Sequence, residues 1–165
     1  NAVQLIRDTD RSYITELLKM HQYVDMIIPR GGNSLHEFCR ENSTIPVIIG
    51  GIGVCHIYVD DTADVTSSLE VIHNAKTQRP SVCNAIDTLI VQRDIARDFV
   101  PKVIERLSGN NVTFKLDPEL SDMVNGNEKI QLAGEGDWDI EWLDYILGIK
   151  VVADLDEAIE HIETH

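Results

Sequence analysis

Short apolar runs of strand length alternate with segments of helical spacing along most of the chain, and this alternation is the strongest limit on its fold. The runs are Val24 to Ile28, Pro46 to Ile49, Val54 to Val59, Ile86 to Val91, Val112 to Leu116 and Ile149 to Ala153. Between them, apolar residues recur at three- and four-residue steps. Examples are Leu35, Phe38 and Cys39; Val65, Leu69, Ile72 and Ala75; and Ile95, Phe99, Val103 and Leu107. Strands separated by helices of ten or more residues need crossover connections, which predicts an α/β fold of three layers with a mostly parallel sheet. Continuous apolar runs fit strands covered on both faces. Val112 to Leu116 alternates apolar and polar, which predicts a half-exposed or edge strand.

The connections carry their own signals. Val3 to Ile6 reads as a short buried strand, followed by a helix to about Met20. Asp154 with Glu157 three residues later is a helix start of the capping-box kind. Leu155, Ala158, Ile159 and Ile162 then form the predicted inner stripe of that helix. Asp117 to Asp144 is loop-rich, with a short helix opened by Pro118 and a weak strand at Ile130 to Ala133. Trp138 and Trp142 are expected to pin this segment to the core. Pro29-Arg30-Gly31-Gly32-Asn33-Ser34 runs from strand to helix start through a double glycine, the layout in which backbone N–H groups meet a phosphate. By itself the double glycine is a weak signal, and a plain tight turn accounts for it better than an anion site. Gly50, Gly51 and Gly53 follow a strand and permit close approach of another group.

Charge narrows the partners. The formal net charge is −14 in 165 residues. Residues 117–165 hold 14 of the 28 acids and two of the 14 bases, Lys129 and Lys150. An acidic chain of this kind does not suit a nucleic-acid backbone, and anionic ligands are expected in the first part, where the cations lie. No apolar run approaches the roughly 20 residues of a membrane span. Cys39, Cys55 and Cys83 are odd in number and unpaired in spacing, which suits a reducing cytoplasm. Cys55 and His56 are adjacent and point to opposite faces of a strand, so no metal site is expected.

The chemistry concentrates at Ala75 to Ala85. A polar segment broken by Pro80 delivers Cys83 to the start of an apolar run, with Lys76 and Arg79 upstream. Cationic neighbours and an open loop favour the thiolate, the form that attacks carbonyl carbon. The competing reading is a small apolar residue that caps a strand. A thiol acyltransferase or amidase is a further reading and would need a histidine beside Cys83, with His56 and His73 nearest in sequence.

Three stretches resemble the glutamate-5-semialdehyde dehydrogenase branch of the aldehyde dehydrogenase superfamily. They are Ile27 to Gly32, Ser43 to Asp60 and Asn74 to Ala85, and the likeness weakens between about Thr113 and Leu147. The resemblance implies an aldehyde dehydrogenase-like catalytic domain from residue 53 to 165, preceded by the C-terminal part of a nucleotide-binding domain over residues 1–52. It implies NADP(H)-dependent reduction of L-glutamyl 5-phosphate to L-glutamate 5-semialdehyde and phosphate, in proline biosynthesis. Cys83 is then the nucleophile; Arg79, Lys76 and Asn84 are candidates for binding substrate, and Gly31, Gly32, Gly50 and Gly51 for approach of the cofactor. The partner is a small acyl phosphate, with no nucleic acid and no membrane, and the resemblance leaves room for a homo-oligomer of the full-length enzyme. Ile48 stands where many hydrolytic aldehyde dehydrogenases carry a water-activating glutamate, and an apolar side chain cannot deprotonate water. Asn1 is not a methionine and the final helical pattern runs to His165, so the sequence reads as an internal piece of a longer enzyme. As such a piece it is expected to fold without being active by itself.

Overall fold

The computed structural model describes residues 2–51, 53–124 and 126–165, with only the backbone at Asn33. Ile52, the expected last residue of the first domain, lies outside the described residues. The chain divides into two compact units, Asn1–Ile52 and Gly53–His165.

The first unit holds helices α1 (Ser12–Leu17) and α2 (Asn33–Asn42). The predicted strands Val24 to Ile28 and Pro46 to Ile49 reduce to one parallel bridge, Ile27 with Val47. Its two hydrogen bonds run from Ile27 N to Pro46 O at 2.9 Å and from Ile48 N to Ile27 O at 2.9 Å. Leu18, Cys39 and Ile45 are buried. Thr44 N donates to Leu18 O at 3.0 Å, which ties the end of the first helical segment to the chain after α2. Val3 to Ile6 forms no strand, and Val3 and Leu5 are more than 80% exposed (86% and 82%). A strand is stable only with a ladder partner, and none of the described residues pairs with this run.

The second unit is built on a five-stranded, all-parallel sheet in the order β1-β2-β5-β3-β4. The strands are β1 (His56–Val59), β2 (Thr88–Gln92), β3 (Thr113–Leu116), β4 (Ile130–Leu132) and β5 (Ile146–Val152). Helices α3 (Val65–Thr77), α4 (Arg93–Leu107) and α5 (Leu155–Thr164) supply the crossovers and the outer layers. Asp64 caps α3 by accepting from Ser67 N at 2.7 Å. Asp154 caps α5 by accepting from Glu157 N at 3.0 Å, and the Glu157 carboxylate accepts from Ala153 N in return. That reciprocal pair is the predicted helix start.

Alternation along the central strands sorts the core. Leu89, Val91, Ile149 and Val151 face one layer with Ile72 of α3 and Phe99, Val100 and Val103 of α4. Ile90 and Val152 face the other layer with Ala158 of α5. Residues 88–91 are all buried, as a strand covered on both faces requires. β3 alternates half-buried and buried residues as predicted, but it lies inside the sheet between β5 and β4. Its half-open face, not an edge position, produces the pattern. On α5 the helix turns Ala158 and His161 inward, whereas Leu155, Ile159 and Ile162 remain 53%, 45% and 45% exposed. The predicted stripe is thus rotated, because His161 packs edge-on against His56 and Trp138.

Candidate functional site

The end of α3 and the start of β2 are joined by the segment that carries Cys83. Ala85 N donates to Val82 O at 3.0 Å, which closes a four-residue turn with Cys83 and Asn84 at its centre. Central turn residues point outward, and Cys83, Asn84 and Arg79 are all exposed. Among the described residues the Cys83 N–H has no acceptor. A shallow cavity of about 230 Å³ opens beside the turn, lined by Asn74, Ala75, Gln78, Arg79, Val82, Asn84 and Ala85. Arg79 and Asn84 share this cavity, and Cys83 is exposed in the same turn as Asn84.

Lys76, expected beside Arg79 as a cation for anionic substrate, faces inward instead. It is fully buried, and its ammonium donates to Ile86 O at 2.8 Å. Burial lowers its pKa to about 8, against the opposing pull of Asp87 and Asp144. Ile86 N donates to Ala75 O at 3.2 Å, so the last turn of α3 grips the residue that follows the Cys83 turn from both sides. The long flexible stem of lysine allows this reach, and its position near a helix end gives no hint of which way it turns.

Asp87 is the second support, and sequence reasoning passed over it. It is 2% exposed. Its carboxylate accepts from Cys55 N at 3.1 Å and from Trp142 N at 2.9 Å. Its backbone continues the ladder, from Asp87 N to Cys55 O at 2.9 Å and from Gly148 N to Asp87 O at 2.9 Å. One buried side chain thus joins the approach to β1, the start of β2 and the loop before β5. The available signal was an acid inside the apolar run Ile86 to Val91, since a buried carboxylate needs partners. Trp142 was expected to pin its segment to the core. The anchoring contact is its backbone N–H, and the ring is half-buried.

The histidines nearest Cys83 in sequence have other surroundings. His73 Nε2 lies 3.2 Å from Asn110 Oδ1. The His56 ring stands edge-on to His161 at 5.4 Å, and burial lowers its pKa. Neither hydrogen-bonds the Cys83 sulfur, so neither forms with it the cysteine–histidine pair of a thiol acyltransferase or amidase. Among the described residues no group of histidine, cysteine and carboxylate side chains is arranged to hold a metal ion. No described helix is long and apolar enough to cross a membrane.

The glycines expected near a cofactor lie in the first unit. Gly32 precedes α2, whose start has no side-chain cap. A Cβ at Gly31 would come within 2.8 Å of the end of the Leu35 side chain. A Cβ at Gly32, Gly50 or Gly51 would meet nothing within 4 Å among the described residues, and none of these glycines has positive φ. Neither internal packing nor backbone conformation requires glycine at those three positions.

The all-parallel sheet with helices on both faces is shared with an acetylating aldehyde dehydrogenase from Geobacillus thermoglucosidasius, at a TM-score of 0.65 and 22% identity over 93% of this chain and 41% of that one. The fold is therefore aldehyde dehydrogenase-like. Much stronger is the likeness to gamma-glutamyl phosphate reductase from Thermotoga maritima, at a TM-score of 0.91 and 43% identity over 99% of this chain and 39% of that one. In sequence the chain is 54% identical, over 164 residues, to gamma-glutamyl phosphate reductase of Vibrio vulnificus strain YJ016, again covering 99% of this chain and 39% of the relative. The chain belongs to the gamma-glutamyl phosphate reductase family, another name for the branch that the three sequence stretches resemble. It spans about two fifths of the length of these relatives (39%). No family model matches it.

Proposed function

We propose that this chain is the nucleophile-bearing part of an oxidoreductase that converts L-glutamyl 5-phosphate to L-glutamate 5-semialdehyde and phosphate with NADPH, in the cytoplasmic synthesis of proline. Residues 53–165 then belong to the catalytic domain and residues 1–52 to the end of the nucleotide-binding domain. The observation that carries the reading is the exposure of Cys83 at the centre of a turn held by Lys76 and Asp87 beneath it.

In this reading the Cys83 thiolate attacks the acyl carbon, the C–O bond to phosphate breaks, and a thioester forms. The free Cys83 N–H donates to the developing oxyanion, a contribution of about 3 kcal/mol where such donors have been removed. Arg79 and Asn84 hold the anionic groups of the substrate on the same face, and Lys76 positions the turn from below. A nicotinamide cofactor, when bound, supplies the hydride that releases the aldehyde and returns the thiolate. The first unit fits such a group in two respects. The uncapped start of α2 leaves backbone donors for an anion. Glycines 32, 50 and 51, unexplained by internal packing, leave room for close approach. Ile48 offers no base to activate water against the thioester.

The test is Cys83→Ala in the protein as it occurs, assayed by NADPH oxidation with the acyl phosphate. Activity is expected to fall to background with the fold unchanged by circular dichroism. A variant that retains the wild-type rate overturns the assignment.

A further inference from the structure

Beside the Cys83 turn stands a second thiol that the proposed reaction does not use. Cys55 lies in the strand approach to β1, and its Sγ donates to the carbonyl oxygen of Cys83 at 3.2 Å. Its neighbours fix it there. Cys55 N donates to the Asp87 carboxylate at 3.1 Å, and Cys55 O accepts from Asp87 N and Thr88 N at 2.9 and 3.1 Å. The two cysteines are thus held in one network, Cys55 just before β1 and Cys83 in the turn before β2, 28 residues apart in sequence, with the sulfur of one against the backbone of the other. Cys55 is half-buried and Cys83 exposed. Cys39, buried in the first unit, takes no part in this network.

We infer that Cys55 is the resolving thiol of Cys83, so that a hydroperoxide converts the pair to an internal disulfide in place of irreversible oxidation of Cys83. In the first step the Cys83 thiolate attacks a peroxide oxygen. The O–O bond breaks, sulfur is oxidised to the sulfenic acid, and hydroxide leaves. In the second step the Cys55 sulfur attacks the sulfenic sulfur, the S–O bond breaks, and the Cys55 proton leaves with the oxygen as water. A dithiol, or two equivalents of a monothiol, then restores both cysteines by exchange through a mixed disulfide and is itself oxidised to the disulfide. Sulfur–sulfur bonding requires the turn to shift; among the described residues the hydrogen bonds that hold it there are Ala85 N to Val82 O and the one from Cys55 Sγ itself, and the second is given up as the disulfide forms.

The surroundings of Cys55 suit a resolving rather than an attacking thiol. Burial, then Asp87, Cys83 and Glu141, raise its pKa above the ordinary thiol value. Cys55 therefore keeps its proton and its hydrogen bond to Cys83 O in the resting protein. Below that pKa, disulfide closure is expected to quicken as pH rises, since more of Cys55 is then thiolate.

That closure also switches off the reductase rests on Cys83 being its nucleophile; the disulfide itself does not. The experiment treats the reduced protein, in its natural polypeptide, with hydrogen peroxide, blocks free thiols with iodoacetamide and maps tryptic peptides without reduction. Cleavage after Arg40 and Lys76 separates the three cysteines, with Cys55 in residues 41–76 and Cys83 in residues 77–93. The expected product joins those two peptides and disappears with dithiothreitol. In Cys55→Ser, Cys83 is expected to progress to sulfinic and sulfonic acid, and dithiothreitol no longer restores activity. Wild-type protein in which Cys83 over-oxidises while Cys55 is recovered alkylated overturns the inference, whatever Cys55→Ser does. Activity of Cys83→Ala tests the nucleophile assignment separately, so the two failures are told apart.

Discussion

Replacing Lys76 by methionine probes the support beneath the reactive turn, and its magnitude follows from the structure. In the folded chain the ammonium is fully buried against Ile86 O, and its pKa falls from 10.5 to about 8. The unfolded chain keeps the ordinary value. Between pH 10.5 and 8 the unfolded state therefore binds more of this proton than the folded state, and stability rises with pH across that window. Below pH 8 the full penalty of burying the charge is present, about 3 kcal/mol. Lys76→Met removes that penalty at neutral pH. It also leaves Ile86 O without its donor, a loss of about 1–3 kcal/mol at every pH. The two nearly cancel at pH 7, whereas above pH 10.5 only the loss remains. The assay is urea unfolding of both proteins from pH 7 to 11. Tyr58 and Cys55 also titrate in the alkaline range with raised pKa values, and the difference between the proteins removes their shared contribution. The difference is expected to move by about 3 kcal/mol in favour of wild type as pH climbs through the window. A difference that stays constant from pH 7 to 11 would refute the placement of the charge inside the fold.

Three further outcomes follow from the same contacts. Asp87→Asn should lower stability by about 2–3 kcal/mol in urea unfolding, because its amide cannot accept from both Cys55 N and Trp142 N. His161, held at a pKa of about 4 by burial and by His165, His56 and Lys150, favours the neutral ring in the fold. Its contribution is therefore present above pH 6.5 and lost as pH falls towards 4; His161→Leu should unfold less readily than wild type at pH 4, by about 3 kcal/mol relative to their difference at pH 7. Ile48→Glu should raise hydrolysis of the thioester or of a test ester in the full-length enzyme, read as acid released without NADPH oxidation, and an unchanged rate would count against the role given to Ile48.

What could be read from the sequence depended on whether the determining partners are local. β2 and α4 follow from a mainly apolar run and from apolar residues at four-residue steps, and both formed within two residues of the predicted bounds. The cap on α5 depends on Asp154 and Glu157 alone and was equally legible. The exposed position of Cys83 followed from its polar, proline-broken approach. Where long-range contacts decide, the pattern misled. Val3 to Ile6 has the composition of a buried strand but no ladder partner among the described residues. α5 turned its histidine inward, where it packs against His56 of β1 and Trp138 of the segment between β4 and β5. Lys76 and Asp87 were illegible for the same reason, since a buried charge announces itself only through partners brought by the fold. The pairing of Cys55 with Cys83 depends on β1 and β2 lying side by side, which spacing alone does not give.

The central claim is that the Cys83 sulfur becomes acylated. Full-length protein mixed with the acyl phosphate in the absence of NADPH, quenched in acid and mapped by mass spectrometry, tests this directly. The account predicts a glutamyl adduct on Cys83, released as the semialdehyde when NADPH is added before the quench. An adduct on another residue, or turnover with no adduct on Cys83, would contradict it.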